Sequence, residues 1–184
     1  MKAFEEELIL KAQGGDSYAF GLLYDAYVSQ IYRFIFLKLG GMKAEAEDIT
    51  HQVFMSAWKN IKKYQFQGYP FSSWLYKIAR NEVIDFWRTK KNNVSIHDIH
   101  EEFLGETDEN ELSVDIKIDT ELVSLCIKRL DSHYQDVLIL KFVEELTNEE
   151  IAKAMGKTEG SVRVIQHRAI KKLKQEIEHE RAHH

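Results

Sequence analysis

The chain has 184 residues, of which 44% are hydrophobic and 11% aromatic, enough for the core of one medium domain or two small ones. One proline and nine glycines disfavour a turn-rich β fold, and the single cysteine excludes an internal disulfide and suits a cytosolic protein. A net charge of −5 argues against uniform coating by nucleic acid, although a locally basic face would still bind it. No signal peptide or bilayer-spanning run is recognisable, so a cytoplasmic protein without membrane insertion is expected.

Two helices are predicted before residue 40. The first runs from Phe4 to Gln13 and is amphipathic, with one apolar side. That side carries Phe4, Leu8 and Ile9. Asp16 or Ser17 caps the second helix, which continues to about Leu39 with a wide apolar face. The glycine pair at positions 40 and 41 ends it.

A third helix is predicted from Lys43 to Lys63, with apolar residues at helical spacing. Its inner face carries Ile49, Val53, Phe54, Ala57 and Ile61. Acidic residues gather in its first turns and lysines in its last, which suits the helix dipole. Solvation is the default explanation for the polar residues on the rest of its surface, among them Glu47, Asp48 and Gln52.

The loop from Tyr64 to Pro70 is unusually apolar for a connection, because it contains Phe66 and Tyr69. Packing of these rings onto the neighbouring helices is the default interpretation. Capture of an unstacked nucleic-acid base against an aromatic wall is the alternative that would carry a function.

A fourth helix is predicted from Phe71 to about Lys91, and its apolar residues are expected mainly in the core. These are Phe71, Trp74, Leu75, Ile78, Ala79, Val83 and Phe86. Basic side chains outnumber acidic ones on the rest of the helix. They are Lys77, Arg80, Arg88, Lys90 and Lys91, against Glu82 and Asp85.

The composition changes at about Asn92, where an acidic stretch begins. Residues 92–120 hold nine acidic residues and one base, Lys117. A segment of this charge repels itself and stays extended, so we predict a flexible linker between two helical domains. The predicted boundaries are 1–91 for the first domain, 92–120 for the linker and 121–184 for the second domain.

The second domain is predicted to begin with helices from Glu121 to Leu130 and from Ser132 to Glu144. Cys126 lies in an apolar run of the first of these, so a buried structural thiol is favoured over a reactive one. At the C-terminal end, the histidines from His179 onward have no cysteine or acidic cluster to complete a metal site. A frayed helix end is therefore preferred, and no metal or cofactor is expected.

Residues Leu146–Leu173 are predicted to form two short helices joined by a tight turn. Thr147 and Glu150 form a capping box for the first helix. Gly156 ends it, and Thr158 caps the second helix. A buried stripe on the second helix holds Val162, Ile165, Ala169 and Leu173. Its opposite face is polar and basic, with Ser161, Arg163, Gln166, His167, Arg168, Lys171, Lys172 and Lys174.

This pattern is typical of a helix-turn-helix whose second helix lies in a DNA major groove. Arginines near the start of that helix would read base edges, and the later lysines would neutralise phosphates. The alternative is an ordinary helical hairpin with a solvated basic face. Agreement between the caps, the turn and the segregation of charge favours the DNA-binding interpretation.

Widely separated segments of the chain also resemble one family. AEDITHQVFMSAWKNI, followed by FSSWLYKIARNEVIDFWR, resembles conserved region two of bacterial RNA polymerase sigma factors. LDSHYQDVLILKFVEELTNEEIAKAMGKTEGSVRVIQHRAIKKLK resembles their region four. The short chain and the acidic linker are similar to the compact extracytoplasmic-function type of the sigma-70 family. The resemblance covers about Ala19 to Lys174.

The resemblance implies an all-α fold of two small helical domains with no catalytic residues, acting in promoter recognition, minus-ten melting and transcription initiation. The β′ clamp helices of core RNA polymerase would be bound by Glu47, Asp48, His51 and Gln52. Single-stranded minus-ten DNA, with one base flipped into a pocket, would be bound by Lys63, Tyr64, Phe66, Tyr69, Lys77, Arg80, Asn81 and Arg88. Duplex minus-thirty-five DNA would be read by Ser161, Arg163, Gln166, His167, Arg168, Lys171 and Lys172. The polymerase β flap and an anti-sigma factor are the other implied partners.

A stand-alone helix-turn-helix regulator is the chief alternative, with a first domain that senses a ligand or forms a dimer. Such a protein would bind palindromic duplex DNA tightly by itself and would not need the surface of Arg80, Asn81 and Arg88. An enzyme is disfavoured, because the sequence contains no phosphate-binding loop, no cysteine–histidine metal spacing and no nucleophile motif.

Overall fold

The computed structural model of the chain describes residues 2–66, 68–93 and 114–183, and every regular element among these residues is helical. The α-helices are α1 (Lys2–Gln13), α2 (Ser17–Lys38), α3 (Lys43–Asn60), α4 (Phe71–Asn93), α5 (Val114–Arg129), α6 (Ser132–Leu138), α7 (Asn148–Met155) and α8 (Glu159–His183). A 3₁₀ turn (Ile61–Lys63) follows α3, and a π-helical turn (Ile139–Val143) follows α6. The predicted all-α fold is confirmed. We call α1 to α4 the first unit and α5 to α8 the second unit.

The ends of the helices in the first unit follow local signals in the sequence. Asp16 caps α2, because its Oδ1 accepts hydrogen bonds from the backbone N–H groups of Tyr18 and Ala19 at 2.9 and 3.1 Å. Gly40 and Gly41 follow α2 with φ of 71° and 96°, a left-handed conformation that glycine adopts at little cost. The predicted start and end of α2 are therefore confirmed.

The core of the first unit lies between α2, α3 and α4, with α1 packed against α2. The predicted inner face of α3 is buried, and that of α4 is buried or packed against the core. On the predicted apolar side of α1, Leu8 and Ile9 are buried, whereas Phe4 is 62% exposed. Phe4 lies in the first turn of α1, and only Leu8, Ile9 and Ala12, further along the helix, are buried.

Helical structure extends into both ends of the predicted linker. α4 continues to Asn93, and α5 begins at Val114 rather than at Glu121. Asp115, the second residue of α5, is acidic, as favoured at a helix start, but the prediction counted it only as part of the acidic stretch. The rest of the predicted linker, residues 94–113, lies outside the described residues.

The chain leaves α6 through a wider turn than predicted. An α-helix was expected to continue to Glu144, whereas a π turn begins at Ile139. The N–H of Glu144 donates to the carbonyl of Ile139, five residues earlier, at 3.0 Å. Glu145 then has a φ of 56°, so the backbone changes direction sharply before α7.

The predicted helix-turn-helix is present as α7 and α8. The capping box is complete, because Thr147 Oγ1 accepts from the Glu150 N–H at 3.2 Å and the Glu150 carboxylate accepts from the Thr147 N–H at 2.8 Å. Gly156 ends α7 with φ 62° and ψ 39°. Thr158 Oγ1 accepts from the Ser161 N–H at 3.2 Å at the start of α8. All three predicted signals are confirmed.

Replacing Thr147 with alanine should lower the free energy of unfolding by about 1 kcal/mol, because the N–H of Glu150 loses its side-chain acceptor. Urea unfolding followed by circular dichroism would measure this loss. Replacing Thr89 with alanine is a matched control, because Thr89 is an exposed residue within α4. An equal effect of the two substitutions would contradict the role of the cap.

In the second unit, α5, α6 and α7 all pack on α8. Val162 and Ala169 of the predicted stripe are buried, and Ile165 and Leu173 are half-buried against the apolar residues around them. Cys126 is buried as predicted, and burial raises the pKa of its thiol, which keeps it protonated and unreactive.

The two units pack directly against each other. α7 lies on α4, and the π turn contacts α2. A single apolar cluster contains Val137, Leu140 and Ile151 of the second unit together with Phe34 and Leu75 of the first. Residues far apart in the sequence therefore meet across this contact, and some of them belong to the predicted functional surfaces.

Candidate nucleic-acid interface

The predicted DNA-reading face of α8 is open to solvent. Ser161, Arg163, His167, Arg168, Lys171 and Lys172 are exposed, and Gln166 is half-buried. The buried stripe on the opposite side of α8 holds the helix against the second unit, so the basic face points away from the core. The structure thus leaves six of the seven residues predicted to contact the minus-thirty-five element open to solvent.

Arg163 and Lys172 make only weak contacts that DNA binding would readily replace. Arg163 Nη2 lies 2.7 Å from Glu159 Oε1, and both side chains are largely exposed. An exposed pair of this kind contributes about 0–1 kcal/mol, so the guanidinium remains available to a base edge. Lys172 Nζ lies 3.6 Å from Asp131 Oδ2 and 5.3 Å from the centre of the Tyr134 ring.

A second candidate surface lies around the aromatic loop, residues 64–66 and 68–70. Its rings interlock with the start of α4, where the Tyr64 ring centre is 5.2 Å from that of Phe71 and 5.1 Å from that of Trp74. Burial, with smaller effects of Glu5 and Glu6, raises the pKa of Tyr64 to about 12. The Tyr64 hydroxyl is therefore neutral at physiological pH.

A cavity of about 200 Å³ opens beside these rings. It is lined by Lys63, Tyr64, Gln65, Tyr69, Pro70, Ser73, Trp74, Lys77 and Lys153. Ser73 Oγ is buried and has no hydrogen-bond partner among the residues that the structure describes. With aromatic walls and two lysines of the first unit in its lining, the cavity offers stacking and charge to a planar polar ligand.

The structure divides the residues predicted for minus-ten DNA into two groups. The cavity brings together Lys63, Tyr64, Tyr69 and Lys77, with Phe66 50% exposed in the same loop. Asn81 and Arg88 are exposed further along α4, and Arg80 is half-buried. None of these three lines the cavity.

Sequence reasoning missed several residues of the cavity. Trp74 was expected in the core, and it is only half-buried because one side of its ring faces the cavity. The spacing of Pro70, Ser73, Trp74 and Lys77 is that of one helix face, which is a signal that could have identified Ser73. Lys153 comes from α7, and no local signal connects it with the loop.

Arg80 is covered by the second unit. Its Nε lies 2.7 Å from Asp136 Oδ2 of α6, and its side chain is 15% exposed. Lys38 Nζ lies 2.8 Å from Asp136 Oδ1 and forms a buried ion pair with it. Lys38 also donates to the Ser132 carbonyl and hydroxyl at 3.0 and 2.9 Å. Burial, partly offset by Asp136, lowers the pKa of Lys38.

A second polar contact between the units centres on Glu144, just after the π turn. Arg33 donates to both carboxylate oxygens of Glu144 at 2.8 Å, in a bidentate pair. The Tyr76 hydroxyl donates to Glu144 Oε2 at 2.8 Å. Burial, with the nearby Glu144 carboxylate, raises the pKa of Tyr76, so this phenol stays protonated.

α7 of the second unit also reaches the aromatic loop. Lys153 Nζ lies 5.4 Å from the centre of the Tyr69 ring and lines the cavity. Glu149 raises the pKa of Tyr69 by its charge and by a hydrogen bond. In the described arrangement the second unit therefore covers Arg80 and one side of the cavity.

The residues predicted to bind polymerase lie together on α3. Glu47, Asp48, His51 and Gln52 are all exposed. Met55 and Trp58, which sequence reasoning did not assign, are 55% and 37% exposed further along the helix. Exposed apolar residues next to polar ones are typical of a protein-binding surface.

Among the described helices, none has both the length and the apolar character needed to cross a bilayer.

Two family models match the chain, one in each unit. The model described as Sigma-70 region 2 matches residues 23–93. The model described as Sigma-70, region 4 matches residues 120–173. The first match contains the aromatic loop and α4, and the second contains the helix-turn-helix. α1 lies before the first match.

Relatives with known names extend this similarity over most of the chain. The ECF RNA polymerase sigma factor BldN of Streptomyces coelicolor is 36% identical over 175 residues, which cover 91% of this chain and 63% of BldN. The ECF RNA polymerase sigma factor SigW of Bacillus subtilis is 30% identical over 186 residues, which cover 96% of this chain and 98% of SigW. The chain thus spans less than two thirds of the length of BldN and nearly all of SigW.

A solved structure supports the fold. CnrH, determined in complex with the cytosolic domain of CnrY, superposes with a TM-score of 0.70 at 19% sequence identity. The superposition covers 94% of this chain and 96% of CnrH.

Proposed function

The chain belongs to the extracytoplasmic-function sigma factors of the sigma-70 family, and from this we propose that it binds core RNA polymerase and directs it to promoters, without catalysis of its own. Its place of action would be the cytoplasm, where polymerase works. The observation that carries the proposal is the presence of two cationic surfaces on different units. One is the exposed face of α8, and the other surrounds the cavity at the aromatic loop.

The face of α8 would read duplex minus-thirty-five DNA in the major groove. Arg163 lies near the start of the helix, where side chains of a recognition helix reach base edges. Lys171 and Lys172 lie two turns later and would neutralise phosphates. Each bidentate contact between an arginine and a guanine contributes about 1–3 kcal/mol of discrimination.

The cavity would receive one unstacked base of the minus-ten element. Tyr64, Tyr69 and Trp74 supply aromatic surface, and stacking on such rings is worth about 1–3 kcal/mol per base. Lys63 and Lys77 would hold the phosphates beside the base. These contacts would offset the few kcal/mol that unstacking a base costs.

Polymerase would be bound through both units. The polar face of α3, with Met55 and Trp58 beside it, would bind the β′ clamp helices. The second unit would bind the β flap. An exposed surface of mixed polar and apolar character suits a dissociable subunit, which must be stable both free and bound.

The described arrangement would be the form of the protein that is away from the promoter. Elements about 25 base pairs apart are separated by roughly 85 Å of duplex at 3.4 Å per base pair. A compact chain of this length is only about 40 Å across. The units must therefore separate to reach both elements, and residues 94–113 allow a span of at most about 70 Å between α4 and α5.

An anti-sigma factor is a further proposed partner. CnrH, which shares this fold, was determined with a bound protein, the cytosolic domain of CnrY. An anti-sigma factor would inhibit this chain by binding the surfaces that polymerase needs or by keeping the units together.

A pull-down with core polymerase, followed by run-off transcription, would test the proposed function. Specific transcripts should appear only when core enzyme and this protein are both present. Promoter binding by the holoenzyme should also weaken steeply between 50 and 200 mM salt, because neutralised phosphates release counterions, by about 10³-fold or more for six or more phosphate contacts. Transcription unchanged by adding the protein would reject the proposal. Tight binding of palindromic duplex by the free protein would favour the stand-alone regulator.

A further inference from the structure

Helix α1 holds both ends of the aromatic loop, although it lies before the part of the chain that matches region 2. Its buried residues Leu8, Ile9 and Ala12 fix it against the core. Two polar side chains on the same helix, Glu5 and Gln13, then reach across to the loop. None of the residues predicted for DNA or polymerase binding lies on α1.

Gln13 fixes the beginning of the loop. As the last residue of α1, it donates from Nε2 to the Ile61 carbonyl at 3.0 Å and to the Tyr64 carbonyl at 2.7 Å. These carbonyls stand at the start of the 3₁₀ turn and at the first residue of the loop. One amide group thus fixes the backbone from which the Tyr64 ring projects.

Glu5 fixes the end of the loop. Its Oε1 accepts from the N–H of Phe71, the first residue of α4, at 2.9 Å, and its Oε2 accepts from the Tyr27 hydroxyl at 2.8 Å. The first N–H groups of a helix have no partner within the helix, and a carboxylate beside them is also favoured by the helix dipole. Glu5 therefore determines where α4 begins relative to Pro70.

The two anchors together set the geometry of the cavity. The first anchor is the contact of Gln13 with the backbone of Tyr64, and the second is the contact of Glu5 with the backbone of Phe71, three residues before Trp74. The ring centres of Tyr64, Phe71 and Trp74 lie 5.1 to 5.3 Å apart. Ser73, which also lines the cavity, lies one helical turn after Pro70, whose carbonyl accepts from the Ser73 N–H at 3.1 Å. If the contact of either Gln13 or Glu5 were lost, the rings would no longer be held in one arrangement.

We infer that α1 is a positioning element for minus-ten recognition, in which Gln13 and Glu5 keep the cavity in the shape that receives an unstacked base. The inference rests on the proposed function and adds two positioning residues to it. A loop that is already ordered binds its ligand more tightly, because less conformational freedom is lost on binding. Neither residue needs to touch DNA.

The test is made with the holoenzyme and single-stranded oligonucleotides that carry its selected minus-ten element. Each base is replaced in turn by an abasic site, and the position with the largest loss of affinity in the wild type marks the captured base. Gln13→Met keeps the length of the side chain and removes its N–H donors. Gln30→Met is the matched control, because Gln30 is exposed on α2.

We call the ratio of the affinities for the intact and the abasic oligonucleotide the abasic penalty. In Gln13→Met this penalty should be at least threefold smaller than in the wild type, because binding of the intact oligonucleotide weakens while affinity for the abasic oligonucleotide stays the same. A loss of folded protein would instead weaken both oligonucleotides equally. Glu5→Ala should act like Gln13→Met. Glu5→Gln retains an acceptor for the Phe71 N–H and should lie nearer the wild type.

An unchanged abasic penalty in both Gln13→Met and Glu5→Ala would overturn the inference and leave the proposed function intact. A wild type that shows no penalty at any position would instead overturn base capture itself, and the inference with it. If the wild type supports run-off transcription with core polymerase, the proposed sigma function holds whichever of these two results is obtained.

Discussion

Replacing Asp136 with asparagine should separate the two units of the free protein. Asp136 is the shared partner of Lys38 and Arg80, and its side chain is only 2% exposed. Removing one partner from a buried ion pair costs about 3–5 kcal/mol, because the remaining charges are left uncompensated. In the free protein this cost disappears when the two units separate, because separation exposes Lys38 and Arg80 to water. The change would move the equilibrium between closed and open forms by about 10²-fold or more.

Small-angle X-ray scattering of the free protein would measure this opening. The compact wild type should have a radius of gyration of about 16 Å for its length, and Asp136→Asn should be clearly larger. Glu178→Gln is the control, because it also removes one negative charge from the second unit and lies on the exposed side of α8. Circular dichroism should show that helix content is retained.

A charge swap at Glu144 gives an independent check. Arg33→Glu and Glu144→Arg should each enlarge the protein, because the bidentate pair between the units is lost. The double variant should return towards the wild-type size if the pair can form in reverse. Equal radii of gyration for the wild type, Asp136→Asn and both single swaps would show that these polar contacts do not hold the units together.

Replacing Arg163 with alanine should reduce transcription from promoters that depend on a minus-thirty-five element by about 5- to 150-fold. This range corresponds to the loss of one bidentate base contact, about 1–3 kcal/mol. The pair that Arg163 makes with Glu159 is exposed, so its loss should leave the stability of α8 almost unchanged. Run-off transcription with core polymerase would measure the effect.

Two comparisons make the prediction for Arg163 specific to base reading. Arg163→Lys keeps the charge but not the planar fork, and it should behave more like alanine than like the wild type. A template without the upstream element should be transcribed equally by the wild type and by both variants. If Arg163→Ala transcribed a promoter with a matched upstream element at the wild-type level, the proposed role of Arg163 would be wrong.

The assignment of residues to the promoter and to polymerase stays a prediction. The structure adds which of these residues are already accessible and which must first lose a contact within the protein. All the predicted residues on α8 except the half-buried Gln166 are already exposed and need no rearrangement. Arg80 is different, because it must exchange Asp136 for DNA before it can contribute. Asp136 thus occupies the place on Arg80 that a DNA phosphate would take.

The amino-acid sequence by itself determined the helices and most of the buried faces. Helix caps and terminators act within about four residues, so they can be recognised from the neighbouring sequence, as for Asp16, Thr147 and Gly156. Helical spacing of apolar residues likewise identifies a buried face without knowledge of the partner. Phe4 shows the limit of this inference, since helical spacing places it on the apolar side of α1 although it is exposed. Periodicity does not reveal how far the neighbouring helix extends.

Only the tertiary structure decided which polar groups meet. Arg80 and Asp136 are 56 residues apart, and Glu144 lies 111 residues from Arg33. Lys153 reaches the cavity from α7, and Gln13 reaches the loop from α1. Such contacts depend on how helices that are distant in the sequence pack against one another, and a single polar side chain produces no periodic pattern in the sequence. Only the tertiary structure could therefore show that the second unit covers Arg80 and that α1 holds the aromatic loop in place.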